Sequence, residues 1–126
     1  YLTQEIHKIN SNINIHFGKY EPINLDEFKK NKKYLVFSGI GNHQTFVEMI
    51  KKNGLEVIKD FEFSDHYFYK KADIDKILNE AGKLNCEIIT TEKDSQRLID
   101  FNEINIKVMK TELKIINENK FLKLII

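Results

Sequence analysis

Three short segments of the sequence combine residue types that could bind an anion or move a proton. They are Ser38 to Asn42, Ser64 to Tyr67, and Thr90 to Asp94. The first is a glycine turn, the second pairs an aspartate with a histidine, and the third places a lysine beside an aspartate. Each segment also has an ordinary structural interpretation, which has to be weighed against the chemical one.

In the first segment, Gly39 and Gly41 precede Asn42. Glycines let a ligand approach the backbone, and free N–H groups at the start of a helix attract anions. The pattern is only a fragment of a dinucleotide-binding fingerprint, and the sequence contains no G-x-x-x-x-G-K-[ST] phosphate loop. On spacing alone, a tight turn from strand to helix is the favoured interpretation.

The second segment places Asp65 beside His66. A histidine titrates near neutral pH, so it can transfer a proton or orient a neighbour that does. The alternative is a structural histidine packed among aromatic side chains, with Asp65 starting a turn before Tyr67 and Tyr69. The other histidines are weaker candidates, because no pair of them has metal-ligand spacing, and His43 is expected on the surface at a helix start.

The third segment contains Thr91-x-x-Asp94, which matches the capping box of a helix N-terminus. Lys93 lies in the same first turn, where the helix dipole disfavours a cation. An anionic partner would explain that position, and simple exposure of a long flexible side chain is the competing explanation.

The hydrophobic pattern predicts strands that end just before each segment. The predicted strands are 34–37, 55–63, 86–90 and 106–109, and the predicted helices contain Phe46 to Ile50, Lys71 to Leu84 and Thr91 to Ile99. Alternating strands and helices favour an α/β fold, with a mostly parallel sheet and helices on both faces. Ligands of such sheets bind beyond the carboxyl ends of the strands, where these three segments would converge.

The chain ends lie outside this alternation, with predicted strands at 12–17, 113–116 and 121–126 that favour a small antiparallel ribbon. We expect one α/β domain over residues 1–126, with a ribbon or linker at 1–33 and the core at 34–126. The lysine-rich connector 29–33 is interpreted as an exposed turn, and a patch for anionic lipid or phosphate is its alternative.

Composition excludes several classes of function. The net charge of the 126 residues is +1, which gives no electrostatic support for nucleic-acid binding. No apolar run is long enough for a transmembrane helix, and the start at Tyr1 suggests a piece of a longer chain. The single cysteine, Cys86, excludes an internal disulfide and a cysteine zinc site, and we expect it to pack as a small hydrophobe.

Taken together and in order, the three segments resemble the C-terminal part of tetraacyldisaccharide 4'-kinase, the lipid A 4'-kinase of Gram-negative bacteria. The matching stretches are FSGIGNHQTF (37–46), FSDHYFY (63–69) and TTEKDSQRL (90–98). One departure is His43, where the family commonly has proline. We expect that change to leave the chemistry unaffected.

The resemblance implies the Rossmann-like C-terminal lobe of a P-loop kinase, joined by a β ribbon to an N-terminal lobe that binds ATP and Mg²⁺. The complete enzyme would phosphorylate the 4'-hydroxyl of tetraacyldisaccharide 1-phosphate at the cytoplasmic face of the inner membrane. The 126 residues lack the phosphate loop, so we expect them to be inactive alone. Their balance of hydrophobic and charged residues leads us to expect a soluble piece.

The resemblance also assigns roles to single residues. His66 matches a catalytic histidine that pairs with an aspartate of the other lobe. The residues expected to face the nucleotide or substrate cleft are Gly39, Gly41, Asn42, Asp65, Thr91, Lys93 and Asp94. Among them, Lys93 is the expected anion contact, and no metal ligand is expected in this chain. The alternatives are a stand-alone module that binds a nucleotide or another anion without catalysis, and a structural or partner-binding domain.

Overall fold

The structure is a computed structural model that describes residues 15–102, 105–117 and 121–125. In chain order, its strands are β1 (Ile15–Pro22), β2 (Lys33–Ser38), β3 (Glu56–Glu62), β4 (Glu87–Thr91), β5 (Ile106–Met109), β6 (Thr111–Asn117) and β7 (Phe121–Ile125). Its helices are α1 (His43–Lys52), α2 (Lys71–Leu84) and α3 (Glu92–Gln96). The described residues divide into two compact units, one within 22–110 and one made of the described residues on either side of it, 15–21 and 111–125.

The unit 22–110 is built on a parallel four-stranded sheet with the strand order β3-β2-β4-β5. The chain leaves β2 for β3 on one side and then crosses over to β4 on the other side of β2. The connections therefore diverge between β2 and β4, and the crevice at such a point is the usual ligand site of an open α/β sheet.

The face of the sheet under α2 carries an apolar cluster. Leu35 and Phe37 of β2 pack there with Ile74 and Ile77 of α2, as the two-residue period of a strand and the 3.6-residue period of a helix require. The predicted helix Lys71 to Leu84 is confirmed at both ends. It stops at Asn85, which adopts the left-handed conformation (φ 55°) that often terminates helices.

Helix α1 covers the opposite face. Its Phe46, Val47 and Ile50 are buried, and the strand alternation directs Tyr34 and Val36 of β2 to that side. Residues 34–38 are all fully buried, which is typical of a parallel strand covered on both faces.

The parallel-sheet unit begins at Pro22, within the stretch that the sequence assigned to a ribbon or linker. Asn24 explains how this stretch is held, because its amide donates to the Val108 carbonyl at 2.9 Å and its Oδ1 accepts from the Lys110 N–H at 2.9 Å. The segment is thereby tied to the end of β5.

The second unit contains a three-stranded sheet in the order β1-β6-β7, and β6 is antiparallel to β7, with Leu113 opposite Leu124. The α/β class with a small antiparallel element from the chain ends is therefore confirmed. The predicted first strand was 12–17, whereas β1 spans Ile15–Pro22, and residues 12–14 lie outside the described residues. Within the described part of the chain, each helix is too short or too polar to cross a membrane.

Candidate functional site

The three polar segments meet at Gly39, directly after the last residue of β2. The Gly39 N–H donates to Asp94 Oδ1 at 2.9 Å. Its carbonyl accepts from the backbone N–H of His66 at 3.1 Å and from Arg97 Nη1 at 3.0 Å. One residue therefore links the glycine turn, the Asp-His loop and the start of α3.

Gly39 has no room for a side chain. A Cβ atom built there would lie 2.9 Å from the Ser64 carbonyl oxygen and 3.1 Å from the Tyr67 Cβ. Real Cβ atoms do not approach a backbone oxygen so closely, so the packing between loops requires glycine here. Gly41 is in a more open position, because the nearest atom to its built Cβ is Asp65 Oδ2 at 3.6 Å.

We call the meeting point of the three segments at Gly39 the junction. Asp94 lies at this junction and is completely buried. In addition to the Gly39 N–H, Oδ1 accepts from the Tyr69 hydroxyl at 2.8 Å and lies 3.3 Å from Arg97 Nη1. Oδ2 accepts from the Thr91 hydroxyl at 2.6 Å. A buried carboxylate is tolerated when donors surround it in this way.

Half of the predicted capping box is present: Thr91 caps the helix, whereas the Asp94 side chain bonds the Thr91 hydroxyl and not the Thr91 backbone N–H. Thr91 is the N-cap of α3, and its Oγ1 accepts from the Asp94 N–H at 3.0 Å while its hydroxyl proton goes to Asp94 Oδ2. The helix is shorter than the predicted 91–99, because α3 ends at Gln96 and a separate 3₁₀ turn spans Ile99–Phe101. The bonds made by the Thr91 cap therefore also hold the Asp94 carboxylate in the interior.

This arrangement bears on the anion-binding interpretation of the glycine turn. The Gly39 N–H is already bonded to Asp94, so the anion bound at that group is a carboxylate of the same chain. Asn42 is exposed at the N-cap of α1 and makes no capping bond with its side chain. Lys93 is also exposed, as both of its interpretations require.

His66 lies at the solvent-exposed edge of the junction, which we call the rim. Its side chain is 80% exposed. Its Nδ1 lies 3.3 Å from Arg97 Nη2, and its Nε2 lies 3.8 Å from Asp65 Oδ2. The ring is therefore not packed into the interior as a structural histidine would be. Its backbone has φ +60°, a left-handed conformation that is uncommon outside glycine.

The loop that carries His66 also contains aromatic rings that pack against one another. Tyr67 and Tyr69 pack edge to face with ring centroids 5.2 Å apart, and both contact Phe63. The Tyr67 hydroxyl donates to Asp73 Oδ2 at 2.9 Å, which also accepts from the Lys70 N–H. The loop is thereby joined to the first turn of α2.

The expectation that His43 lies on the surface is wrong. Its side chain is completely buried, with Nδ1 2.6 Å from Ser38 Oγ and Nε2 2.6 Å from Asp60 Oδ2. The order serine, histidine, aspartate resembles a hydrolase triad, but Ser38 is inaccessible to substrate because it is fully buried. The three residues instead tie together β2, the start of α1 and β3.

Sequence reasoning missed the contribution of Arg97. It is the only arginine in the chain, yet it touches each of the three segments through Gly39, His66 and Asp94. An arginine at one position in a chain that otherwise uses lysine was the available signal. Within the described residues, there is no cluster of three acidic, histidine or cysteine side chains able to hold a metal ion.

The parallel sheet, with its polar loops beyond the carboxyl ends of β2, β3 and β4, places residues 22–110 in the doubly wound α/β class. The family model described as Tetraacyldisaccharide-1-P 4'-kinase matches residues 3–126, and the chain belongs to that family.

Similar proteins include the tetraacyldisaccharide 4'-kinase of Pelagibacter ubique, which is 52% identical over 98% of this chain and 40% of its own length. The enzyme of the same name from Rickettsia felis is 40% identical over 70% of this chain and 27% of its own length. The chain thus spans two fifths or less of these relatives. No solved structure shows a significant match.

We predict that Gly39→Ala destabilises the fold by about 1–3 kcal/mol, the usual cost of forcing atoms into a packed region. Gly82→Ala is the matched control, because nothing lies within 4 Å of a Cβ built at that helical position. It should stabilise the protein by about 0.5–1 kcal/mol, since alanine is the better helix former. Urea unfolding of both variants measures the difference, and equal effects would contradict the packing argument.

A second prediction concerns alkaline pH. Burial, together with the hydrogen bond to Asp94, raises the pKa of Tyr69 well above its usual range. Above pH ~10 the unfolded tyrosine loses its proton while the folded one keeps it, so this contribution to stability falls as pH rises. Tyr69→Phe should therefore be less stable than the parent near pH 8, and the gap should close above pH ~10. A gap that stays constant in urea unfolding between those conditions would refute this.

Proposed function

We propose that this chain is the C-terminal lobe of a tetraacyldisaccharide 4'-kinase, an enzyme that transfers the γ-phosphate of ATP to the 4'-hydroxyl of tetraacyldisaccharide 1-phosphate in lipid A biosynthesis. Family membership and the names of the relatives support this reaction. The observation that carries the proposal is the exposed side chain of His66, the residue that the resemblance matches to the family's catalytic histidine.

The residues that the structure describes do not form a complete MgATP site by themselves. The sequence has no phosphate loop, the described residues contain no cluster suited to a metal ion, and the Gly39 N–H is bonded to Asp94. The proposal therefore assigns the binding of ATP and Mg²⁺ to an N-terminal P-loop lobe of the same protein. MgATP would supply the phosphoryl group there, and the roles proposed for the residues of this chain do not require them to hold it.

The proposed task of His66 is to act on a carboxylate of that other lobe. Phosphoryl transfer depends on positioning and charge stabilisation, and the attacking hydroxyl needs a base within hydrogen-bond reach. The exposed imidazole of His66 can contact a carboxylate of the N-terminal lobe only when the two lobes approach each other. Catalytic assembly would then follow the closure that substrates induce.

The remaining site residues divide into supports and surface groups. Asp94 and Thr91 hold the junction from inside, so their proposed role is to shape the cleft. Gly41, Asn42, Asp65 and Lys93 are exposed and remain candidates for contact with nucleotide or substrate. The acyl chains of the proposed substrate would lie in a membrane, and the proposed location of the reaction is the cytoplasmic face of the inner membrane.

A stand-alone module that binds an anion without catalysis is the alternative, and the exposed Lys93 is the observation that favours it. The two functions differ in turnover. The kinase proposal expects phosphate transfer only when this chain is joined to a P-loop lobe, whereas the module would bind its anion alone.

We predict that His66→Ala, made in the complete kinase, lowers kcat by about 10²–10⁴, the scale for losing an acid–base partner. The fold should be unaffected because the ring is exposed. Asn79→Ala, on the exposed side of α2, is the control and should leave kcat unchanged. The assay follows phosphate transfer from ATP to tetraacyldisaccharide 1-phosphate, and an unchanged kcat in His66→Ala would remove His66 from the mechanism.

For Lys93→Ala, we expect weaker binding of one anionic ligand by about fivefold, consistent with loss of a partly exposed ion pair. ADP and tetraacyldisaccharide 1-phosphate would be titrated separately in a calorimeter. Lys52→Ala, at the far end of α1, removes a comparable exposed charge and should have no effect. If Lys93→Ala binds both ligands as the parent does, Lys93 is only a solvent-exposed side chain.

A further inference from the structure

Arg97 reaches His66 from below the rim. Its side chain is mostly buried, with 23% exposed. Nη1 donates to the Gly39 carbonyl at 3.0 Å and lies 3.3 Å from Asp94 Oδ1. Nη2 lies 3.3 Å from Nδ1 of His66. One branch of the guanidinium is therefore fixed to the junction, and the other contacts the exposed imidazole.

The chemistry of the two groups decides the direction of this hydrogen bond. A guanidinium carries only donors, so Nδ1 of His66 must be the acceptor. A neutral imidazole that accepts at Nδ1 carries its proton on Nε2. The doubly protonated ring could not accept this bond, because both of its nitrogens would then be donors.

The charges around the ring agree with this tautomer. The guanidinium lies on the Nδ1 side, and the carboxylate of Asp65 lies on the Nε2 side at 3.8 Å. That distance is too long for a hydrogen bond. The N–H at Nε2 is therefore directed toward negative charge while remaining available to an outside acceptor.

The backbone of His66 is held at the same point as Arg97. The His66 N–H and Arg97 Nη1 both donate to the Gly39 carbonyl. This shared acceptor helps to maintain the left-handed conformation of His66 at φ +60°, which is unfavourable for a residue with a side chain. The Gly39 carbonyl therefore holds both the backbone that carries the ring and the guanidinium that bonds to it.

We propose that Arg97 is a positioning residue for His66: by donating to Nδ1, it keeps the proton of the neutral ring on Nε2 and points that N–H outward to a carboxylate. The inference rests on the proposed kinase function for its consequence in catalysis, but the tautomer can be measured without turnover. A wrong histidine tautomer in a catalytic relay is known to be costly in other enzymes.

Lysine could not do the same work. Its single nitrogen could bond the Gly39 carbonyl or Asp94, but it could not at the same time present a second, fixed donor to His66. Arg97→Lys therefore preserves the charge and the support of the junction while removing the contact with the ring. This separates positioning from stability.

The first test is the ¹⁵N NMR spectrum of the complete kinase labelled at its histidines, with the His66 signals assigned by their loss in His66→Gln. The parent should show an unprotonated Nδ1 and a protonated Nε2. In Arg97→Lys and Arg97→Gln, the two tautomers should mix, as they do in a free imidazole. A parent spectrum with the proton on Nδ1, or one that Arg97→Lys leaves unchanged, would overturn the proposal.

The second test is a double-mutant cycle in the phosphate-transfer assay. Misplacing a catalytic group by about 1 Å can cost ~10²-fold, so we expect Arg97→Lys to lower kcat by about 10- to 100-fold with KM little changed. In the His66→Ala background, Arg97→Lys should have no further effect, because it acts through the missing ring. Equal losses in both backgrounds would show an independent role and overturn the proposal.

The two experiments separate this inference from the function on which it rests. If His66→Ala retains full activity while the spectra show the expected Nε2–H tautomer and its loss in Arg97→Lys, the catalytic role of His66 fails but the positioning by Arg97 stands. If His66→Ala is inactive and the spectrum does not respond to Arg97→Lys, the positioning fails and the kinase function stands.

Discussion

The positions of the loops at the rim depend on the hydrogen bonds that the buried carboxylate of Asp94 accepts. It draws donors from separate parts of the chain: the Gly39 N–H after β2, the Tyr69 hydroxyl before α2, and Thr91 and Arg97 around α3. A charge buried without partners is very costly, but one surrounded by donors is stable and fixes their geometry. The loops are therefore positioned by the hydrogen bonds that a single side chain requires.

Some of the groups that the sequence predicted to face a ligand instead form hydrogen bonds inside the protein. The glycine turn binds an anion, but that anion is Asp94. The threonine of the third segment likewise bonds the same carboxylate. What reaches the solvent is a short set of side chains, with His66 foremost, that the internal network holds in place through Arg97 and the Gly39 carbonyl.

Local features could be predicted from the sequence, and contacts between distant residues could not. The helix Lys71–Leu84 follows from its apolar spacing, and the Thr91 cap follows from a four-residue motif. The burial of His43 depends on Asp60, which lies on another strand. The role of Arg97 depends likewise on a loop 31 residues away. Neither partner could be identified without the fold that brings it near.

The two histidines described in this unit show why residue type alone does not identify a site. His43 has both ring nitrogens bonded within the protein, to Ser38 and Asp60, and it is fully buried. A ring in that state has no nitrogen left for a substrate, so it stabilises the fold. His66 has one nitrogen engaged by Arg97 and the other beyond hydrogen-bond distance of Asp65. It is therefore both oriented and accessible, and a histidine needs both properties to act on a group from another lobe.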